Sequence, residues 1–310
     1  MNRTDFLISI IVPCYNEEKN VGEIAERLYS VLGEYDSYEI VFVDDGSSDQ
    51  TLREIQRLRS FNESIKYVSF TRNFGHQNAI RAGLDHATGD CVVMLDADLQ
   101  HPPELIREMV ICWKQGYQVV NTQRKENESV SFLKRKTANL YYDLLNLFCE
   151  IKVERGAADF RLLDRSVVEV LRGLSEPGLF YRGIIPWLGF KQCTIPYFPN
   201  ERMHGQTHYS IRKMLTLALN GITSFSVKPL RLSTIMGFFI SFLTFCYGSY
   251  AIIMKIFSDE TVSGWASLMT GVFFIGGIQL ISLGIIGEYV GSLFVQIKRR
   301  PNYVVKEKGL

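Results

Sequence analysis

An α/β domain built on a parallel-type sheet with helices on both faces, followed by a two-helix transmembrane hairpin, is the fold class this sequence predicts. Two observations predict it. Short runs rich in Ile, Val and Phe alternate with amphipathic stretches of 11 to 15 residues through the front of the chain. Farther on, two long runs contain no Asp, Glu, Lys or Arg at all.

The first strand is expected over Leu7 to Val12, and the next three over Ile40 to Val43, Lys66 to Phe70 and Cys91 to Leu95. Helices are expected at about 18–32, 49–59, 76–87 and 103–115. Buried parallel strands read as nearly continuous apolar runs, and the helices between them supply the crossovers. In such sheets ligands bind at the carboxyl ends of the strands. Here those ends read Pro13-Cys14-Tyr15-Asn16-Glu17, Asp44-Asp45-Gly46-Ser47, Thr71-Arg72-Asn73 and Asp96-Ala97-Asp98. Acids, amides and an arginine at four strand ends describe a polar crevice. No GxGxxG, and no GxxxxGK followed by Ser or Thr, follows any of these strands, which argues against dinucleotide-binding and P-loop chemistry.

The uncharged runs extend over 23 residues, Leu232 to Met254, and 27 residues, Thr261 to Gly287. At ~1.5 Å per residue each can cross a hydrocarbon core of ~30 Å. Lys228 and Arg231 precede the first run, and Lys298, Arg299 and Arg300 follow the second. The connection around Lys255, Asp259 and Glu260 has no basic excess. The positive-inside rule then predicts a cell-membrane protein with the front domain and both termini in the cytoplasm, and the polar stretch Met1 to Phe6 carries no signal-peptide pattern.

With 310 residues, 46% apolar and 22% charged, the chain is neither a disordered polymer nor a small disulfide-stapled module. Its net charge of +1 conceals an uneven distribution. Residues 1–201 hold 23 Lys and Arg against 29 Asp and Glu, whereas residues 202–310 hold 11 against 4. The basic segment 202–231, with Arg202, Arg212, Lys213, Lys228 and Arg231 interleaved with apolar residues and no acid, reads as an amphipathic element at an anionic lipid surface. An acidic front domain argues against a nucleic-acid partner. The six cysteines (Cys14, Cys91, Cys112, Cys149, Cys193 and Cys246) show no CxxC spacing and read as reduced residues in apolar surroundings. The expected organisation is therefore a domain at 1–201, an interfacial segment at 202–231, two membrane helices within 232–297 and a basic tail at 298–310.

Asp96-x-Asp98 is the sharpest chemical feature. Two carboxylates separated by one residue at a strand end can direct hard oxygen ligands toward a divalent cation that also takes diphosphate oxygens. Taken alone, the pattern equally fits a turn with Pro102-Pro103 opening the next helix.

Its company changes that reading. The order and spacing of VPCYNE (12–17), VDDGSSD (43–49), RNFGHQNAIRAG (72–83), LDADLQHPPE (95–104) and GAADFRLLDR (156–165) resemble family 2 glycosyltransferases with the GT-A nucleotide-sugar-binding fold. With ERMHGQTHYS (201–210), two membrane spans and GEYVG (287–291), the resemblance narrows to the membrane-anchored polyprenyl-phosphate glycosyltransferases. That group contains the bactoprenol glucosyltransferases and the dolichol-phosphate mannose synthases.

The resemblance implies a membrane-anchored hexosyltransferase. Its donor would be a nucleotide-sugar (a UDP-hexose, with UDP-glucose as first choice), its acceptor polyprenyl (undecaprenyl) phosphate, and its product a β-linked lipid-phosphate sugar formed with inversion for cell-envelope glycan modification. Transfer of mannose, an N-acetylhexosamine or aminoarabinose is the alternative, and a scaffold that retains the fold without activity is a second. The resemblance places Pro13, Tyr15, Glu17 and Asp45 at the nucleotide, with Arg72 and Arg124 as cations for its phosphates. Asp96 and Asp98 would face the donor and an Mg²⁺ or Mn²⁺ ion. Asp159 matches the catalytic carboxylate, and its apolar neighbours Ala158 and Phe160 suggest a desolvated group with raised proton affinity. Because an acceptor phosphate is already largely anionic, Asp159 would serve as a base or as an orienting group. Arg202, Thr207 and His208 fall in the family's basic motif for the acceptor phosphate, where Ser-Lys is commoner than Thr207-His208. Gly276, Gly277, Gly284, Gly287 and Gly291 are small enough for close helix packing in the second span and beyond, which is compatible with a homo-oligomer but does not specify one.

Overall fold

The computed structural model describes residues 5–125, 157–174, 176, 179–199, 226–258 and 264–310. The chain divides into two compact units, one of which holds the sheet and takes in Arg300–Leu310 as well as the front of the chain.

The sheet unit runs β1 (Leu7–Cys14), α1 (Val21–Leu32), β2 (Ser37–Asp44), α2 (Thr51–Phe61), β3 (Ile65–Phe70), α3 (His76–His86), β4 (Cys91–Met94), α4 (Leu105–Lys114) and β5 (Val119–Arg124). It continues with β6 (Ala157–Asp164), α5 (Arg165–Gly173), α6 (Tyr181–Trp187), β7 (Gln192–Tyr197) and, after the second unit, β8 (Val305–Gly309). The eight strands lie in the order β7-β5-β6-β4-β1-β2-β3-β8. The four expected strands and four expected helices of the front domain are present. The sheet is mixed rather than all-parallel, because β6 runs antiparallel to both β4 and β5, and β8 runs antiparallel to β3.

Alternation along β1 explains the two helical layers. Ile8, Ile10 and Val12 belong to the core that also holds Ile24 and Leu28 of α1, Ile55 of α2, and Met109 and Trp113 of α4. Ile11 points to the opposite face, where α3 lies so close that a Cβ on Gly83 would overlap the Ile11 side chain. Both faces are therefore covered, and β1, with neighbours on each side, is buried along its length.

Segment 298–310, expected to be a tail, supplies the β8 edge strand. Tyr303 stacks on Phe70 at 4.9 Å and its hydroxyl donates to Asp85 at 2.9 Å. Arg59 donates to the carbonyls of Gly309 and Leu310 at 3.0 and 2.9 Å. Docking of this kind orders a segment whose composition alone reads as solvated.

The second unit contains α7 (Lys228–Ser258) and α8 (Trp265–Ile297), both long and apolar enough to cross a membrane. Their large apolar side chains are outward-facing, with Phe238 80% and Phe273 75% exposed, as a lipid-facing surface requires. Thr234 and Thr244 return their hydroxyl protons to carbonyls four residues back, Leu230 and Ile240, which satisfies these groups without water. Tyr289 of α8 donates to the Ser226 carbonyl just before α7 at 2.6 Å. Among the described cysteines all are free, and Cys246 is exposed on α7 rather than packed in a core.

Candidate active site

Beyond Met94 the in-out alternation of β4 continues into the loop. Leu95, Ala97 and Leu99 are buried, which turns Asp96 and Asp98 toward the carboxyl-end crevice. Leu99 holds a left-handed φ of 62°, and its anchored side chain supports the turn. The backbone N–H of Gln100 donates to Asp98 Oδ1 at 3.2 Å. Arg124, at the end of β5, reaches the same loop by donating to Gln100 Oε1 at 3.4 Å.

The antiparallel course of β6 brings Asp159 here. Its register pairs Met94 with Arg161, so two residues further on Asp96 stands opposite Asp159. Asp159 is buried, its side chain 7% exposed, and α6 delivers a guanidinium to it: Arg182 Nε donates to Oδ1 at 2.9 Å and Nη2 to Oδ2 at 2.8 Å. His76, the first residue of α3, places Nε2 3.7 Å from Asp159 Oδ2 and 3.5 Å from Asp96 Oδ1. Arg161 lies behind at 4.0 Å.

This surrounding reverses one expectation. Burial by itself raises the proton affinity of Asp159, but His76, Arg182 and Arg161 outweigh it and hold the carboxyl well below its usual range. His76 moves the other way. Burial and its place at a helix N-terminus disfavour a cation, yet Asp96 and Asp159 lift the imidazole above its ordinary value. With the ring 42% exposed, solvent moderates that shift. Asp159 is thus an ion-paired carboxylate rather than a proton-hungry one.

The strand ends of β1 to β3 form the other half of the crevice. Tyr15 is 48% exposed there, whereas Pro13 is buried in β1. Glu17 accepts from Asn20 at 2.5 Å beside the start of α1. Asp45 is buried and accepts from the backbone N–H groups of Phe74 (2.6 Å) and Gly75 (2.9 Å), so it ties the β2 and β3 ends together. Burial raises its pKa despite these bonds. Gly46, at a φ of 68°, lets the two loops meet, since a Cβ there would overlap the Arg72 backbone. Arg72 lies over Phe74 at 4.0 Å. Arg202, Thr207 and His208, with most of segment 202–231, lie outside the described residues.

A family model for glycosyl transferase family 2 matches residues 9–172, and a GtrB C-terminal hairpin model matches residues 228–293. The chain is 42% identical to an uncharacterised glycosyltransferase, YkcC, of Bacillus subtilis over 96% of its own length and 93% of that protein's. The chain belongs to glycosyltransferase family 2. It is also 40% identical to the SfII prophage-derived bactoprenol glucosyl transferase of Shigella flexneri, covering 97% of each chain. Among solved structures it resembles the mannosyltransferase PcManGT from Pyrobaculum calidifontis, in complex with GDP-Man and Mn²⁺, with a TM-score of 0.50 and 17% identity over 96% of this chain and 88% of that one. That likeness shows the GT-A type of fold.

Asp96 and Asp98, on one loop at the end of β4, are two carboxylates of the hard-oxygen type that a divalent cation takes. Among the described residues no cluster of three or more His, Cys, Asp or Glu forms a ready-made metal site. Two carboxylates and further oxygens from a diphosphate would together suit Mg²⁺ or Mn²⁺. Three residues at the site are not singled out by any motif role: His76, Arg182 and His101, whose Nδ1 lies 3.6 Å from Asp96 Oδ2. His76 and His101 sit inside motifs already recognised, so those motifs were the available signal. Arg182 carried none, being 23 residues from the carboxylate it pairs with.

Proposed function

We propose that this glycosyltransferase moves a hexose from a UDP-hexose, UDP-glucose first, to polyprenyl phosphate in the cell membrane, with inversion at the anomeric carbon. The observation that carries this reading is the two-pronged contact of Arg182 on Asp159. A hydroxyl acceptor needs a strong base to remove its proton, whereas both oxygens of Asp159 are already committed to a guanidinium. A lipid monophosphate needs no such base, since its second ionisation lies near ~6. Asp159 then holds Arg182 and His76 as a fixed positive rim beside the donor, where an anionic acceptor has to approach. The full-length likeness to a bactoprenol glucosyl transferase supports the same acceptor class.

In this reading Tyr15 faces the base, Glu17 the ribose side, and Arg72 and Arg124 the donor phosphates. Pro13 within β1 and Asp45 just beyond β2 shape that pocket from beneath. Asp98 and Asp96 would hold Mg²⁺ or Mn²⁺, which supplies charge neutralisation for the leaving diphosphate. Asp96 and Asp159, opposite each other across β4 and β6, bracket the sugar and keep its anomeric carbon in line with the acceptor oxygen. The domain and both termini lie in the cytoplasm, with Lys228, Arg231 and Lys298 to Arg300 at the inner headgroups.

Arg202, Thr207 and His208 belong to the acceptor side, and Arg202 provides the test. Rates of Arg202→Ala are measured against polyprenyl phosphate and against donor separately, at constant membrane-bound enzyme. Loss of a charge-assisted contact should slow transfer at limiting lipid by about 30-fold or more and leave the donor curve in place. Lys should recover part of the loss. An unchanged lipid curve beside a weakened donor curve would overturn the acceptor assignment.

A further inference from the structure

The loop that carries Asp96 and Asp98 also carries His101, and that residue is packed into the domain rather than left at the loop surface. It is 8% exposed. Its ring stacks on Phe160 at 5.2 Å and 26°, and Tyr197 meets it edge-on at 5.8 Å. Held on two sides, the imidazole has little freedom to turn. Its Nδ1 is buried without a hydrogen-bond partner among the described residues. The same atom lies 3.6 Å from Asp96 Oδ2, while His76 Nε2 faces Asp96 Oδ1 at 3.5 Å. Packing alone does not call for a nitrogen at this position. Phenylalanine would fill the slot between Phe160 and Tyr197 and remove a buried polar atom that costs stability while unpaired.

We propose that His101 is a positioning residue for the donor site, which donates from Nδ1 to Asp96 Oδ2 and so fixes the rotation of that carboxylate. This rests on the reading of Asp96 and Asp98 as the donor and metal carboxylates. A contraction of about half an ångström brings the pair to hydrogen-bond length. With Oδ2 held from the buried side, the remaining lone pairs of Asp96 turn toward the crevice beside Asp98. The neighbouring His76 cannot do this alone, because it is more exposed and is shared with Asp159. Supporting partners of ligating carboxylates fix their geometry, and their loss weakens metal affinity by about 10- to 100-fold.

The test uses purified full-length protein in detergent and Mn²⁺ as the probe. Bound and free Mn²⁺ are measured by electron paramagnetic resonance with saturating UDP, and again with GDP, alongside melting temperatures. His101→Phe should weaken Mn²⁺ binding by about 10-fold or more without lowering the melting temperature. His101→Asn, whose amide nitrogen can take the place of Nδ1, should recover most of the affinity. Wild-type Mn²⁺ affinity in His101→Phe would overturn the proposal. A fall in melting temperature in both variants, with equal loss of Mn²⁺ binding, would also overturn it and make His101 a packing residue. Absence of Mn²⁺ binding in the wild type with either nucleotide would instead overturn the donor-site reading on which the proposal stands.

Discussion

Replacing Arg182 by Met tests the electrostatic centre of the site. The variant keeps much of the aliphatic stem and removes two hydrogen bonds of 2.9 and 2.8 Å to Asp159. Removing one partner of a buried pair costs about 3–5 kcal/mol, because the other charge stays behind without compensation. Arg182 is itself 33% exposed, and His76 and Arg161 remain near the carboxylate. The expected loss is therefore smaller, about 2–3 kcal/mol. For a unit of this size each kcal/mol moves the midpoint by roughly 2–4 °C, so thermal melting in detergent should show a drop of about 4–12 °C. Adding Asp159→Asn to Arg182→Met should restore part of the loss, since the stranded charge is then gone. An Arg182→Met midpoint within about 1 °C of wild type, or a double variant that melts lower still by the sum of the single effects, would refute the description of Asp159 as a buried charge held by Arg182.

Asp98→Asn keeps the side-chain shape and loses an anionic ligand. Sugar transfer should fall about 100-fold with little change in melting, and full activity in the presence of chelator would remove the metal from the reaction. Glu39 is buried and accepts from Ser9 Oγ at 2.5 Å, Thr88 N at 2.5 Å and Lys66 Nζ at 2.5 Å. Burial pushes its pKa up, but these donors outweigh burial and hold it below the usual range. Its stabilisation is therefore complete at neutral pH and is lost as pH falls from about 4.3 toward its depressed folded value. The melting deficit of Glu39→Gln should shrink over that interval, and a pH-independent deficit would contradict the assignment. In a background cleared of native cysteines, Ser258→Cys should react with an impermeant thiol reagent from outside intact cells and Lys306→Cys should not; the reverse pattern would invert the proposed topology.

What the sequence revealed followed from periodicity. Apolar runs and amphipathic stretches marked β1 to β4 and α1 to α4 because burial imposes those patterns on any strand or helix between two layers. Strand direction leaves no such mark, so the reversal of β6 was invisible, and with it the reason that Asp159 stands opposite Asp96. The proton affinity of Asp159 was misread for a related cause. Its sequence neighbours Ala158 and Phe160 are apolar, while the groups that govern it, His76 and Arg182, arrive from α3 and α6. Asp45 shows the same limit. Its motif advertised a carboxylate, but only the fold shows its oxygens engaged by the Phe74 and Gly75 backbone. For β8, Lys306, Glu307 and Lys308 read as a solvated tail, although an edge strand with one face in water tolerates such residues well.

The pairing of β8 also bears on how the hairpin crosses the membrane. The chain leaves the sheet unit before α7 and rejoins it after α8, where Tyr67, Val68, Ser69 and Phe70 pair with Gly309, Lys308, Glu307 and Val305. Hydrogen-bonded neighbours in one sheet occupy one compartment, so the number of crossings between them must be even. A single crossing, with the other helix lying flat, would put β8 and β3 on opposite sides of the bilayer. The edge of β3 would then lose its partner, and Phe70 would lose the ring of Tyr303. This reasoning is independent of the positive-inside rule. The sheet thus excludes an odd number of crossings; with both helices long and apolar enough to span, two crossings satisfy it, and the basic residues flanking the helices would then choose the side. The last strand of the sheet can pair with β3 only once α8 has returned the chain to the side of the membrane that holds β3.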